Sequence, residues 1–462
     1  MSDAPVAVIG GGIAGLAAAD VLAREGIAVT VLEGAPEVGG KLRTTEVGGI
    51  PVDEGAEAVL VRRPEALELF AALGLDTEQV APRTAKAAVW ARGELRPMPP
   101  RTVMGLPSDP AALRGVLSAA EVARARADAW LPGRPPGDDD IAVGVWARKR
   151  FGSAVVDRLL DPLLGGVYAG RADDLSLAAT LPQVPRDERS ALRAVRRAVP
   201  SSPPSDQPVF ATLRRGLGTL PAALAASVGG NGGRVELGAV VRAVERTPSG
   251  WRVVYGATTA ERALEADAVV VATPARPASK LLATVAPTAA TELATIESAS
   301  MAIVTTAWRA EDAGRGDISG YLVPATSGRP VKAVTLSWAK WPHLSAGGVV
   351  VARCSLGRHG DTAVLQRDDA ELVADAAAEL TAYAGFSGRP IDARVSRWGG
   401  ALPQYAVGHL DRVRRIRSAV EAQPGLAVCG ATYDGVGIPA CIGTGQRAAR
   451  QVLSYLRSLE SR

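Results

Sequence analysis

Apolar and polar positions along the chain follow two periods. Val6 to Ile9 is an unbroken apolar run, Ile27 to Leu32 is a second, and Ile13 to Arg24 between them carries Leu16, Ala19, Val21 and Leu22 at mostly helical spacing. Residues 5–33 therefore predict strand, glycine turn, helix, strand. Pro64 to Leu73 predicts a helix. Residues 132–140 and 201–208, rich in proline, glycine, serine and aspartate, predict exposed loops with a mostly helical block between them. Residues 216–228 predict a helix, 234–244 and 251–254 a strand pair, and 266–273 a buried strand. Within 300–356 the segments MAIVTTAW, GYLVP, KAVTLSW and GVVVARCSL read as short strands. Asp369 to Tyr383 predicts a helix, Leu426 to Gly430 a last strand and Ile438 to Leu456 a last helix. No internal repeat or long low-complexity tract is visible.

Composition narrows the class. At 462 residues and 47% hydrophobic, the chain can build a large core without disulfide or metal staples. Glycine is abundant (50) and aromatics are only 4%, which suits a glycine-turned α/β protein. Lys+Arg 52 against Asp+Glu 48 leaves +4, spread along the chain without a run of five basic residues. Nucleic acid is therefore not an expected partner, whereas a carboxylate-bearing substrate is compatible. The three cysteines form no CxxC, and with three histidines no metal site is expected. The start, MSDAPVAVIGGG, lacks the charged region and cleavage site of a signal peptide, and no apolar run is long enough for a transmembrane segment. A cytoplasmic location is the expectation.

Gly10-Gly11-Gly12-Ile13-Ala14-Gly15 is a GxGxxG between a predicted strand and helix. In that context the first glycine permits the tight turn, the second admits a pyrophosphate against the backbone, and the third lets helix and strand pack closely. The helix N-terminus offers free N–H groups to the phosphates. Glu33 ends the second strand, eighteen positions after Gly15, where a carboxylate can accept from ribose hydroxyls. Next come Gly39-Gly40-Lys41-Leu42-Arg43-Thr44 and Asp53-Glu54-Gly55-Ala56-Glu57. A nicotinamide dehydrogenase has no use for the second glycine pair, whereas the longer FAD can use amides and a cation along its phosphates and ribityl chain. Taken alone, Gly39-Gly40 reads equally well as a plain turn.

VIGGGIAGLAAADVLAREGIAVTVLEGAPEVGGKLRT followed by DEGAE resembles the FAD-dependent amine oxidase-like superfamily. VMGLPSD, DPLLGGVYAGRADDLSLAATLPQ, VVVATPA, ALPQYAVGHLDRV and GATYDGVGIPACIGTGQRAARQVL extend the likeness over nearly the whole chain, towards the porphyrinogen oxidases of haem synthesis. GGK and MGLPSD are similar to the Gram-positive-type coproporphyrinogen III oxidases. The resemblance implies an α/β flavoprotein. Its discontinuous Rossmann-like FAD domain would comprise 1–94, 209–299 and 396–462. A helical block (95–208) would cap the substrate, and a mixed-sheet substrate domain would span 300–395. It implies cofactor contacts at Gly10, Gly11, Gly12, Ile13, Ala14 and Gly15, at Glu33 and Gly34, and at Lys41, Gly55, Ala56, Glu57 and Ala58. Val241 would touch the adenine end through its backbone, Trp398 would sit near the flavin edge, and the Val436-Gly437-Ile438 turn would meet the ring. Tyr168, Arg171 and Gln404 are candidate pocket residues.

The implied reaction is stepwise desaturation of coproporphyrinogen III to coproporphyrin III. Hydride passes to the flavin, dioxygen is the acceptor and hydrogen peroxide is formed. The pyrrole nitrogens stabilise the cation, so no side chain is singled out as catalytic, and His409 reads as structural. Lys86, Arg92 and Arg96 join Arg171 as cations that could meet propionates. A coproporphyrin ferrochelatase would receive the product. The alternatives are a protoporphyrinogen IX oxidase, another oxidase or desaturase of the superfamily, and an escort protein on the same frame without FAD.

Overall fold

The computed structural model describes residues 5–199, 207–361 and 363–461, so the loop expected at 201–208 lies, up to residue 206, outside the described residues. The two apolar runs near the N-terminus join three later strands in a five-stranded parallel sheet in the order Arg234–Glu236, Val29–Leu32, Val6–Ile9, Ala268–Val271, Leu426–Val428. Three of these strands are buried at every position, which is why they read as continuous apolar runs. Val6 and Val8 face one core, which the helices Ile13–Arg24, Thr219–Gly230 and Ile438–Glu460 cover. Ala7 and Ile9 face another, closed by a three-stranded antiparallel sheet (residues 241–266) and the helices Ala275–Leu282, Pro287–Ala294 and His409–Glu421.

A second, mixed sheet of eight strands runs Asp392–Pro403, Ser298–Arg309, Val349–Leu356, Val331–Thr335, Gly320–Leu322, Ala87–Ala91, Glu94–Pro97, with Ser345–Ala346 paired beside Val349–Leu356. The four strands read from 300–356 form its centre. Its edges cross the expected bounds of 300–395: the 87–97 hairpin lies outside them, and the 392–403 strand runs past residue 395. Helix Asp369–Glu379 packs on one face through Leu372 and Ala376. The helical block has its own core, in which helices Val143–Phe151, Asp161–Tyr168 and Ala191–Ala198 pack together. The loop at 132–140 is irregular, as its composition predicts.

One expected element is corrected. Residues 234–244 do not form a single strand paired with 251–254. Gly238, at φ 65, turns the chain, and its N–H donates to the Ala35 carbonyl. Arg234–Glu236 therefore stays in the parallel sheet, while Val241–Thr247 pairs with Gly250–Ala257 in the antiparallel one. Alternation within each half could not reveal this change of sheet.

Candidate active site

The first glycine turn sits where the 6–9 strand enters its helix. A Cβ on Gly15 would lie 2.0 Å from the Gly10 carbonyl oxygen, so the helix can pack this closely only with glycine there. Gly12 is the helix N-cap at φ −73, and a Cβ there would meet nothing within 4 Å. No side chain caps this helix and its first turn, which includes Ile13 and Ala14, holds no acid. The result is an open, electropositive cradle that fits a pyrophosphate. The Glu33 carboxylate accepts from the amides of Gly11 (2.6 Å) and Ala35 (2.8 Å), so it is held against the turn and keeps lone pairs for hydroxyl donors.

Gly39-Gly40 is more than a surface turn. The Gly39 N–H donates to the Gly11 carbonyl at 2.8 Å, and a Cβ on Gly40 would stand 3.4 Å from Gly12 Cα. The two glycine turns thus form one surface. On the other side of Glu33, the Ala239 N–H donates to the Glu33 carbonyl, and Gly34 lies against Val240. This brings the start of the Val241 strand beside the carboxylate.

Lys41, Gly55 and Trp398 converge from three segments. Lys41 Nζ donates to the Ala401 carbonyl, and burial lowers its pKa. A Cβ on Gly55 would be 2.2 Å from the Lys41 carbonyl oxygen and 3.4 Å from the Trp398 ring. Trp398 Nε1 donates to the Glu54 carbonyl at 3.0 Å. Ala56 is exposed, whereas Ala58 packs against the cluster around Val52.

The two acids flanking this stretch behave oppositely. Burial pushes the Asp53 carboxyl up to about 6, although it accepts from the Leu217 amide (3.1 Å) and the Thr44 hydroxyl (2.8 Å). Burial also acts to raise Glu57, but ion pairs with Lys340 and Arg353, both at 2.7 Å, hold it down at about 2. The Glu57 side chain is therefore committed to tying the Gly55–Ala58 stretch to the mixed sheet. Arg353 also donates to the Gly55 carbonyl at 2.6 Å. Nothing in the local sequence pointed to Lys340 or Arg353.

The third element is the turn before the last helix. Gly437 is its N-cap, no side chain caps it, and its first turn, which begins at Ile438, holds no acid. Tyr405 holds this turn in place: its hydroxyl donates to the Ala431 carbonyl (2.6 Å) and accepts from the Gly435 amide (2.8 Å). Its ring stacks on His409 at 3.9 Å and packs 5.4 Å from Tyr168. His409 is fully buried, and burial lowers its pKa to about 4, so it is neutral and structural. Val436 packs against the helical block.

The candidate pocket residues divide. Gln404 is buried, and its amide donates to the carbonyls of Tyr168 (2.8 Å) and Leu402 (2.9 Å). It ties the end of the 161–168 helix to the strand that carries Trp398. Tyr168 is buried, which pushes its phenol up to about 12. Arg171 lines a cavity of about 410 Å³ on the other side of that helix, together with Lys332 and Arg358. Lys86, Arg92 and Arg96 do not line it. Arg96 is spent on Glu94, and the other two are exposed around the 87–97 hairpin.

Comparison with known proteins agrees with this frame. The model of the family described as flavin containing amine oxidoreductase matches residues 13–453. The chain is 39% identical over 456 residues to the coproporphyrinogen III oxidase of Mycobacterium tuberculosis, covering 97% of each. It is 32% identical over 477 residues to that of Bacillus subtilis, covering 98% of each. The crystal structure of a candidate protoporphyrinogen oxidase from Exiguobacterium sp. 255-15 superposes with a TM-score of 0.84 at 29% identity, covering 98% of this chain and 99% of that one.

Proposed function

Because the chain belongs to the flavin containing amine oxidoreductase family, we propose that this FAD-dependent oxidoreductase of porphyrin biosynthesis oxidises coproporphyrinogen III to coproporphyrin III. The observation that carries this reading is the 39% identity over 97% of both chains to a protein named for that substrate. Three two-electron steps remove six electrons, with dioxygen as final acceptor and hydrogen peroxide as by-product. FAD, when bound, supplies the hydride acceptor. The open cradle at Gly12 is the feature that fits it: a turn with no Cβ, an uncapped helix end, and Glu33 poised beside it for ribose hydroxyls.

The chain's own residues have binding and orienting work. The uncapped start of the Ile13–Arg24 helix at Gly12 receives the pyrophosphate, the backbone near Val241 flanks the adenine end, Lys41 and the Gly55–Ala58 stretch line the middle, and Trp398 lies near the flavin edge. The uncapped end of the Ile438–Glu460 helix favours negative charge at the ring, a contribution of about 0.3–2 kcal/mol. No base is needed, because a pyrrole N–H next to the cation is acidic enough to pass its proton to water. That agrees with a neutral, fully packed His409 and a Tyr168 phenol raised to about 12.

Oxygen consumption on coproporphyrinogen III and protoporphyrinogen IX, measured side by side at matched oxygen, tests the reading. Higher kcat/KM on coproporphyrinogen III is expected. Equal or higher kcat/KM on protoporphyrinogen IX would overturn it and favour the activity for which the Exiguobacterium protein is named.

A further inference from the structure

The cavity beside the 161–168 helix contains a buried cation without a counter-ion. Lys332, on the Val331–Thr335 strand, is 4% exposed and lines the cavity, and its Nζ has no hydrogen-bond partner among the described residues. The charged group that acts on it is another cation, Arg358. Burial and this neighbour together lower Lys332 to about 7, as befits an ammonium for which the protein supplies no carboxylate. Leaving a polar group buried and unpaired is costly, so such a group marks a place that something else completes.

The cavity's remaining charges are accounted for. Arg148, on the rim, is paired with Asp157 (2.7 Å) and Asp173 (2.9 Å). Asp161 accepts from the Ala172 amide at 2.8 Å, and its charge and that of Asp361 act on Arg358. Arg358 Nη2 donates to the Val323 carbonyl at 3.1 Å, which fixes its guanidinium at the cavity wall. Arg171 is exposed at the mouth.

Position links this cavity to the proposed active site. Its wall is the end of the 161–168 helix: Gly165 and Gly170 line it, Gln404 bonds the Tyr168 carbonyl, and Tyr168 packs on the Tyr405 that holds the Gly435 turn. The His359 N–H donates to the Ala169 carbonyl at 2.7 Å, closing the loop that carries Arg358 onto the same helix end.

We propose that this cavity is a carboxylate site in which Lys332, with Arg358 beside it and Arg171 at the mouth, receives a propionate of the tetrapyrrole. This rests on the coproporphyrinogen reading and adds to it where one arm of the substrate is anchored. Anchoring a substituent remote from the reacting carbon binds ground state and transition state alike, so its loss should raise KM far more than it lowers kcat.

The test uses the FAD-loaded enzyme and Lys332→Met, which keeps the side chain's length and removes its charge. Coproporphyrin III, the stable product, is titrated by its fluorescence, and melting temperatures are taken without ligand. The variant should bind coproporphyrin III about 10- to 100-fold more weakly, the range of a lost charge-assisted contact. It should show a raised KM with kcat within about threefold, and it should melt at a higher temperature than wild type, because an uncompensated buried charge has gone. Arg171→Gln, at an exposed position that leaves folding intact, should weaken binding about three- to tenfold. If Lys332→Met loses its flavin, Arg171→Gln decides alone, and unchanged binding overturns the proposal. Equal coproporphyrin III binding by wild type and Lys332→Met overturns the site while leaving the proposed function standing. Failure of wild type to bind coproporphyrin III at all removes the reading on which the site rests, and the site with it. If inorganic phosphate then raises the wild-type melting temperature but not that of Lys332→Met, the cavity serves another anion.

Discussion

The proposed cofactor cradle and the proposed Lys332 cavity would bind charge by different means. Around the glycine turns the backbone would do the work, through open space at Gly12 and an uncapped helix end. Around Lys332 side chains would do it, with a buried ammonium and a guanidinium on separate segments of chain. The two designs fail differently. A backbone cradle costs the fold little when its ligand is absent, because its amides remain open to water. A buried ammonium destabilises the fold until an anion arrives. Binding at the first is therefore expected to be nearly independent of side-chain ionisation, and at the second to depend on it.

The largest expected effect breaks the cofactor cradle alone. Gly12→Val puts a side chain into space that no protein atom occupies, at φ −73 and ψ 172, which valine can adopt. The fold should survive while bound FAD falls to a trace. Flavin absorbance after gel filtration, with circular dichroism as control, measures this, and full occupancy would mean the cradle lies elsewhere.

Glu57→Gln attacks the joint between the two regions. It leaves Lys340 and Arg353 without their shared carboxylate, and breaking a buried ion pair of this kind costs about 3–5 kcal/mol. Because the folded pKa of Glu57 is depressed to about 2, wild type should hold this stability above the unfolded value near 4.5 and lose it as pH falls towards 2. Denaturant melts from pH 7 to pH 3 should show the gap between wild type and variant closing. A constant gap would refute the assignment.

Asp53→Asn should do the reverse. The folded pKa of Asp53 is raised to about 6, so burial favours its neutral form, and the stability linked to its proton is present at low pH and lost as pH rises through 6. Asparagine keeps an acceptor for the Leu217 amide and offers Thr44 an N–H donor in place of the second oxygen, as the neutral carboxyl offers its O–H, so it should stabilise the protein by about 1–3 kcal/mol at pH 7.5 and by little at pH 4. Equal melting of wild type and variant at pH 7.5 would count against a desolvated carboxylate.

The smallest effect is expected from Tyr405→Phe. It removes one hydroxyl that serves both the Ala431 carbonyl and the Gly435 amide, at a cost of about 1–2 kcal/mol. Looser placement of the Gly437 turn should lower kcat several-fold while FAD stays bound. A normal kcat would show that the turn holds its position without the hydroxyl.

How much was legible in the sequence follows the same division. The strand, glycine turn, helix and strand of residues 5–33 could be read because each feature depends on consecutive residues: an apolar run for a buried strand, and a missing Cβ for a close approach such as that of Gly15 to Gly10. The likeness of the 39–44 and 430–453 segments added the flavin frame, which the family match and the superposed structure bear out. Tertiary structure decided the rest. Only folding shows that Glu57 is held by Lys340 and Arg353, that Gln404 spends its amide on Tyr168, and that residues 234–244 divide between two sheets. The same is true of Lys332, which on its strand looks like any lysine among valines. Its burial without a partner is a sum over side chains from residues 161–171, 323–332 and 358–361, brought together by the packing of a helix on a mixed sheet. Backbone chemistry is local and is written in adjacent letters, whereas desolvation and charge pairing depend on whatever else arrives in the same volume.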